Sequence, residues 1–157
     1  MLKQKLALMP GWVVETQIAA PQSQVWQQVT HFAAYAEWNP FVIEAHADFA
    51  VGQTIRFLED LQPFGKHWLM ARFLDIHPPH SFVWQGHFVA PFLFTVRHTF
   101  TVETIGDCQT RFTQRHQNFG LLVPYLALRG VYLASHQGYC AFNQALKDRC
   151  EAAAPLP

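Results

Sequence analysis

Residues 121–150 read LLVPYLALRGVYLASHQGYCAFNQALKDRC. The stretch holds no internal run of helix breakers, so it predicts one long helix from Leu121 to Cys150. Leu128, Val131, Ser135, Gly138, Phe142 and Leu146 recur at the spacing of a single helical face. A stripe of that kind needs an apolar surface to lie on, and the preceding sequence supplies one as strands.

Trp12 to Ala19 is β-branched and roughly alternating, a first strand. A helix follows: Pro21 suits its first turn, Ser23 can cap orphan amides, and Val25, Trp26, Val29 and Phe32 form its apolar stripe. Asn39-Pro40 disfavours helical continuation, so a second short helical turn ends there with Trp38 facing inwards. Six further strands are predicted over Phe41–Ala47, Gln53–Glu59, His67–Ile76, Ser81–Phe88, Thr95–Thr104 and Thr110–Gln117, divided by turn residues such as Val51-Gly52, the HPPH of 77–80 and Gly106-Asp107. Strand, two short helices, six strands and one long helix make an α+β chain with helices gathered on one face of an antiparallel sheet.

The totals agree with one domain over 1–157, its core about 11–151. Half the residues are hydrophobic and 15% aromatic, with only 14% charged. Such a chain buries a large core, lines an apolar cavity or exposes a sticky patch. Eleven Lys and Arg balance eleven Asp and Glu with no basic stripe, which argues against nucleic acid as a partner. Cys108, Cys140 and Cys150 have no metal-type spacing and read as free thiols in a reducing compartment. The opening MLKQKLALMPGW carries too short an apolar patch for a signal peptide. The run 121–134 is interrupted by Pro124 and Arg129, too short for an integral membrane segment, so a cytoplasmic location is the default. The tail AAAPLP is expected to fray.

Strand alternation sorts the side chains that meet the helix. Val96, His98, Phe100 and Val102 share one face; Phe112, Gln114, His116 and Asn118 share another; Phe82, Trp84, Gly86 and Phe88 fall together. The inner surface is thus aromatic with a polar strip of His98, Gln114 and His116, as a small-molecule pocket would be.

Several stretches resemble a known family. A-P-x-x-x-V-W-x-x-V-T from Ala20, Y-x-E-W-N-P-F from Tyr35, P-x-x-x-x-W-x-G from Pro79, His98-x-Phe100, T-R-F-T-Q-R from Thr110 and Gly120-Leu-Leu-Val-Pro are similar to the START-like, Bet v 1-like (SRPBCC) superfamily, closest to its polyketide cyclase/dehydrase and lipid-transport-like branch. The resemblance spans nearly the whole chain in collinear order. It implies a helix-grip fold, with a seven-stranded curved antiparallel sheet around the long C-terminal helix, two short helices after the first strand, and a deep apolar cavity between. It implies an apolar small-molecule ligand, such as a lipid, isoprenoid or polyketide, bound without a cofactor. The alternatives are a cyclase/dehydrase and a protein-interaction, co-chaperone-like module. Where relatives carry an acidic pair after the T-R-F strand this chain has His116 and Gln117, so a role resting on that acid does not transfer.

The candidate ligand wall is Trp38, Trp84, Phe100, Phe112, Leu128, Val131, Ser135 and Tyr139, with His98, Gln114 and His116 orienting a ligand oxygen. His98 and His116 are the candidate acid and base, weighed against a purely hydrogen-bonding role. Glu59 and Asp60 are strand neighbours and point to opposite faces, one solvated and one at the rim. No metal-binding motif is present; only His77 and His80 sit close, across a turn. Phe88, Pro91, Phe92 and Phe94 lie in an apolar loop, read as a gate or as a contact surface for a membrane or a protein.

Overall fold

The structure is a computed structural model and describes residues 11–153. The opening segment read above for a signal and the tail residues 154–157 lie outside the described residues.

Strand β1 (Gly11–Ile18) leads into helix α1 (Gln22–Thr30), a 3-10 turn (Phe32–Ala34) and a one-turn helix α2 (Tyr35–Trp38). Strands β2 (Val42–Ala47), β3 (Thr54–Asp60), β4 (Lys66–His77), β5 (Ser81–His87), β6 (Thr95–Gly106) and β7 (Gln109–Phe119) follow. Helices α3 (Val123–Leu128) and α4 (Val131–Ala153) complete the chain. Within 11–153 the expected strands and early helices lie within a residue or two of their predicted bounds.

The strands form one seven-stranded antiparallel sheet in the order β1-β7-β6-β5-β4-β3-β2. Closing the meander by pairing β1 with β7 leaves β1 and β2 as the edges. Register shifts at Val42/Glu44, Phe73/Asp75 and Thr104/Gly106 insert bulges. Each bulge bends its strand and adds twist, so the sheet curls into a gutter that α4 fills. This is the helix-grip architecture that the sequence implied.

The long helix is where sequence and structure part. It is split at Arg129-Gly130, with Gly130 at φ 80°, a left-handed conformation that favours glycine. The helical period does not carry across that break, and Leu128 is 80% exposed rather than part of the inner stripe. From Val131 onward the reading holds: Ser135, Phe142 and Leu146 are buried, joined by Tyr139, Asn143 and Cys150. Gly138 is required by packing, because a Cβ there would sit 2.2 Å from the Phe41 ring.

Candidate functional site

Alternation along β6 and β7 places His98, Gln114 and His116 on the inner face, all buried. His98 and His116 are register partners on adjacent strands, with their Nδ1 atoms 3.1 Å apart. His98 Nε2 lies 2.8 Å from Gln114 Oε1, Gln114 Nε2 donates to Asn143 Oδ1 at 2.6 Å, and Asn143 Nδ2 donates to Thr16 Oγ1 at 3.1 Å. Trp12 lies flat on His116, ring centroids 4.6 Å apart. Burial holds the His98 imidazole well below the usual histidine range, reinforced by repulsion from His116. Burial pushes His116 down to about 4, against the opposing pull of its Asn118 hydrogen bond. Both rings are therefore neutral near pH 7.

The His98–His116 pair bridges two amide oxygens. His98 Nε2 faces Gln114 Oε1, His116 Nε2 lies 3.0 Å from Asn118 Oδ1, and the two Nδ1 atoms face each other. An amide oxygen only accepts, so two neutral rings bring two protons to three contacts, and among the described residues Asn118 Nδ2 has no partner.

A second polar group occupies the other side of Tyr139. Along β3, Ile55, Phe57 and Glu59 alternate inwards, and Glu59 is 7% exposed. The Tyr139 hydroxyl donates to Glu59 Oε1 at 2.9 Å. Burial pushes the Glu59 carboxyl up to about 7, partly offset by that hydrogen bond. Burial first, and then the neighbouring Glu59, hold Tyr139 well above the usual phenol range. Asp60 faces outwards, where Gln62 donates to it.

The deep chamber implied by the resemblance is replaced by packed rings. Phe82 stacks on Phe100 at 4.3 Å, Trp84 on His98 at 5.0 Å, and Phe32, Phe49, Phe73 and Phe82 meet mostly edge to face at 5.1–6.2 Å. The cavity left among Phe32, Tyr35, Val42, Ile55, Phe57, Trp84, Phe100, Tyr139 and Phe142 measures about 20 Å³. That is room for about one water molecule.

Of the expected wall, Trp84, Phe100 and Tyr139 line this space. Phe112 is buried behind them against Phe142. Trp38 is half-buried, edge-on to Tyr35 and Phe142. Ser135 is buried and Val131 half-buried in the early turns of α4, and Leu128 is outside altogether. Phe88, Pro91 and Phe92 are exposed in the β5–β6 loop, while Phe94 packs on Tyr132. Among the described residues no group of three or more His, Cys, Asp or Glu side chains is placed to hold a metal ion, and no helix is long and apolar enough to cross a membrane. The sequence reading left out Glu59 as an interior group, along with Trp12 and Asn143, while Asn118 stands on the face it was given with Gln114 and His116. Alternation from Ile55 and Phe57 already pointed Glu59 inwards; for Asn143 the signal was its place next to Phe142 on the buried helical face.

Comparison with known proteins gives a consistent result. A family model described as "Polyketide cyclase / dehydrase and lipid transport" matches residues 9–132. The fold is similar to the aromatase/cyclase Zhui from a Streptomyces species (TM-score 0.75, 17% identity, 90% of this chain and 93% of that one). It is also similar to a START superfamily protein from Mycobacterium smegmatis (TM-score 0.70, 16% identity, 92% and 99%). The di-domain aromatase/cyclase BexL, of the BE-7585A biosynthetic pathway, is matched over 95% of this chain and 52% of its own length (TM-score 0.75, 17% identity). No curated protein matches by sequence.

Proposed function

The chain belongs to the polyketide cyclase/dehydrase and lipid transport family, and from that membership we propose that it binds an apolar small molecule carrying a polar oxygen, between the curved sheet and α4. The observation that carries this reading is two buried polar groupings, His98–His116–Gln114 and Glu59–Tyr139, set into an otherwise aromatic interior. Buried polar groups stabilise a core only when every member is satisfied, and an apolar core of the same volume is usually at least as stable. An apolar wall with a few convergent polar groups is the arrangement that small-molecule sites use.

A drug-sized guest needs roughly 300 Å³ or more, far beyond the about 20 Å³ cavity. The guest therefore enters by turning rings aside. The exposed apolar loop is the proposed mouth. Phe88, Val89 and Phe92 are exposed on it, Leu121, Tyr125 and Leu128 beside it, and backbone bonds from Leu121 and Leu122 to Phe92 and Leu93 tie the two segments together. Gly120 and Gly130, at φ 118° and 80°, bracket α3 and allow its short segment to swing.

Titration with acetylnaphthalene, a flat ketone, followed through tryptophan fluorescence, tests the proposal. Saturable one-to-one binding is expected, strengthened in Phe100→Ala, which opens room at the wall. Absence of binding to both proteins contradicts it. If the loop instead serves as a contact surface for a membrane or a partner, Phe92→Ser abolishes vesicle binding or self-association and leaves the titration unchanged.

A second reading, cyclase or dehydrase chemistry, is favoured by the two neutral imidazoles in direct contact. It predicts that the protein accelerates hydrogen–deuterium exchange at the acetyl methyl of acetylnaphthalene in heavy water. The His98→Gln, His116→Gln double variant would lose that acceleration; exchange unchanged in the double variant ends the acid–base role.

A further inference from the structure

The corner between β2, β3 and α4 has hydrogen-bonding capacity that the protein itself does not fill. Asn39, 4% exposed, accepts from the backbone N–H of Phe41 at 3.0 Å and of Val42 at 2.9 Å through its Oδ1. Those two bonds fix the amide: its oxygen must face the backbone, so its nitrogen points the other way. Among the described residues that buried nitrogen has no partner. An unpaired buried donor is expensive, and here it cannot be relieved by turning the amide over.

Asn39 sits against the strand end that carries Glu59. Val42, one of the residues it caps, is the register partner of Glu59, and the Asp60 N–H donates to the Phe41 carbonyl at 2.8 Å. The Phe41 ring meets Tyr139 edge-on at 4.8 Å. Val42 and Tyr139 both line the residual cavity. The Tyr139 hydroxyl, bonded to Oε1, is the hydrogen-bond partner that the structure gives the Glu59 side chain, so Oε2 is available to a guest.

We propose that Asn39, Glu59 and Tyr139 form a recognition site for the carbonyl oxygen of the apolar guest, with the Asn39 amide and the Glu59 carboxylic acid both donating to it. Tyr139 orients the acid by donating to its other oxygen. The inference rests on the reading that the interior takes a guest, and it narrows the guest to one with a buried ketone, enone or ester oxygen. The histidine network also holds unpaired N–H groups, at Asn118 Nδ2 and Trp12 Nε1, but it has no carboxyl; this corner sets a free donor beside an acid.

The protonation state sets the sign of the pH effect. Burial pushes Glu59 up to about 7, so the carboxyl is a donor below neutrality and an acceptor-only anion above. On the inner side Tyr139 from α4 faces it, with Tyr35 from α2 beyond. His67, its register partner on β4, turns its ring out to the Phe64 carbonyl, and Glu44 and His46 of β2 bond each other on the outer side.

The test compares acetylnaphthalene with ethylnaphthalene, which has the same shape and no oxygen, by fluorescence titration across pH. The wild-type protein should prefer the ketone by about tenfold near pH 6, and that preference should shrink several-fold by about pH 8. Glu59→Gln, whose amide keeps a donor, should retain the preference and make it independent of pH. Glu59→Leu should bring the ketone down to the affinity of the hydrocarbon. Binding of both probes without preference in the wild type, or a preference that survives Glu59→Leu, overturns the carbonyl site alone. Binding of neither probe overturns it together with the proposed function.

Discussion

Tyr139 separates two polar regions built from the same device, a strand whose alternation turns a polar side chain inwards, and the regions differ in what they hold: one a long chain of neutral groups, the other a carboxyl bonded by one phenol. On the β6–β7 side the bonds run from Asn118 through His116, His98, Gln114 and Asn143 to Thr16. On the β2–β3 side a carboxyl is bonded by a phenol, and an amide next to it keeps its N–H unpaired. The longer chain of bonds ties β1, β6, β7 and α4 into one arrangement. The carboxyl, held by a single phenol, keeps hydrogen-bonding capacity for the proposed guest.

Removing a member of the histidine network should have the largest effect. His98→Leu leaves His116 Nδ1 and Gln114 Oε1 without partners in a dry interior and should cost about 3–5 kcal/mol in urea unfolding. Removing the charge from the Glu59 corner should act the other way: Glu59→Gln should stabilise the protein by about 2–3 kcal/mol above neutral pH, because no carboxyl then has to ionise in the core. If both variants lose stability alike, the distinction between the regions fails.

The pH slopes sharpen the contrast. Glu59, raised from 4.5 to about 7, gives stability that is full below 4.5 and lost as pH rises through 7. His116, lowered from 6.5 to about 4, gives stability that is full above 6.5 and lost as pH falls through 4. The two oppose each other across the shared window. Glu59→Gln should leave a stability that climbs from about pH 4 to pH 6.5, and His116→Gln one that declines from about pH 4.5 to pH 7, both measured by thermal unfolding.

Smaller effects follow. Tyr139→Phe removes the bond to Glu59 and should cost about 1 kcal/mol while raising the carboxyl further, which moves the pH midpoint of ketone binding upward in the titration. Ser135→Ala, buried but in neither network, should change stability by about 0.5 kcal/mol or less.

Most of the architecture was legible in the sequence because strand alternation and turn residues are local signals. The same alternation gave the histidine strip, since Phe100 and Phe112 declare the inner face and His98, Gln114 and His116 share their parity. The helix break was harder: Arg129-Gly130 sits inside an apolar run, and a single glycine is compatible with either a continuous or a broken helix until packing decides. The pairing of Glu59 with Tyr139, residues eighty apart, depends on which strand reaches α4, and no local pattern carries that. How full the interior is was also illegible, because abundant Phe and Trp describe a wall and a filling equally well.

The most direct test is a titration of the protein with acetylnaphthalene followed by aromatic and amide NMR. Saturable one-to-one shifts are expected at Phe57, Phe100, Tyr139 and Phe142, with rings turned aside around a single guest. Shifts confined to the exposed Phe88–Phe94 loop, or none that saturate, would contradict the proposed binding and leave the ring cluster as a solid core.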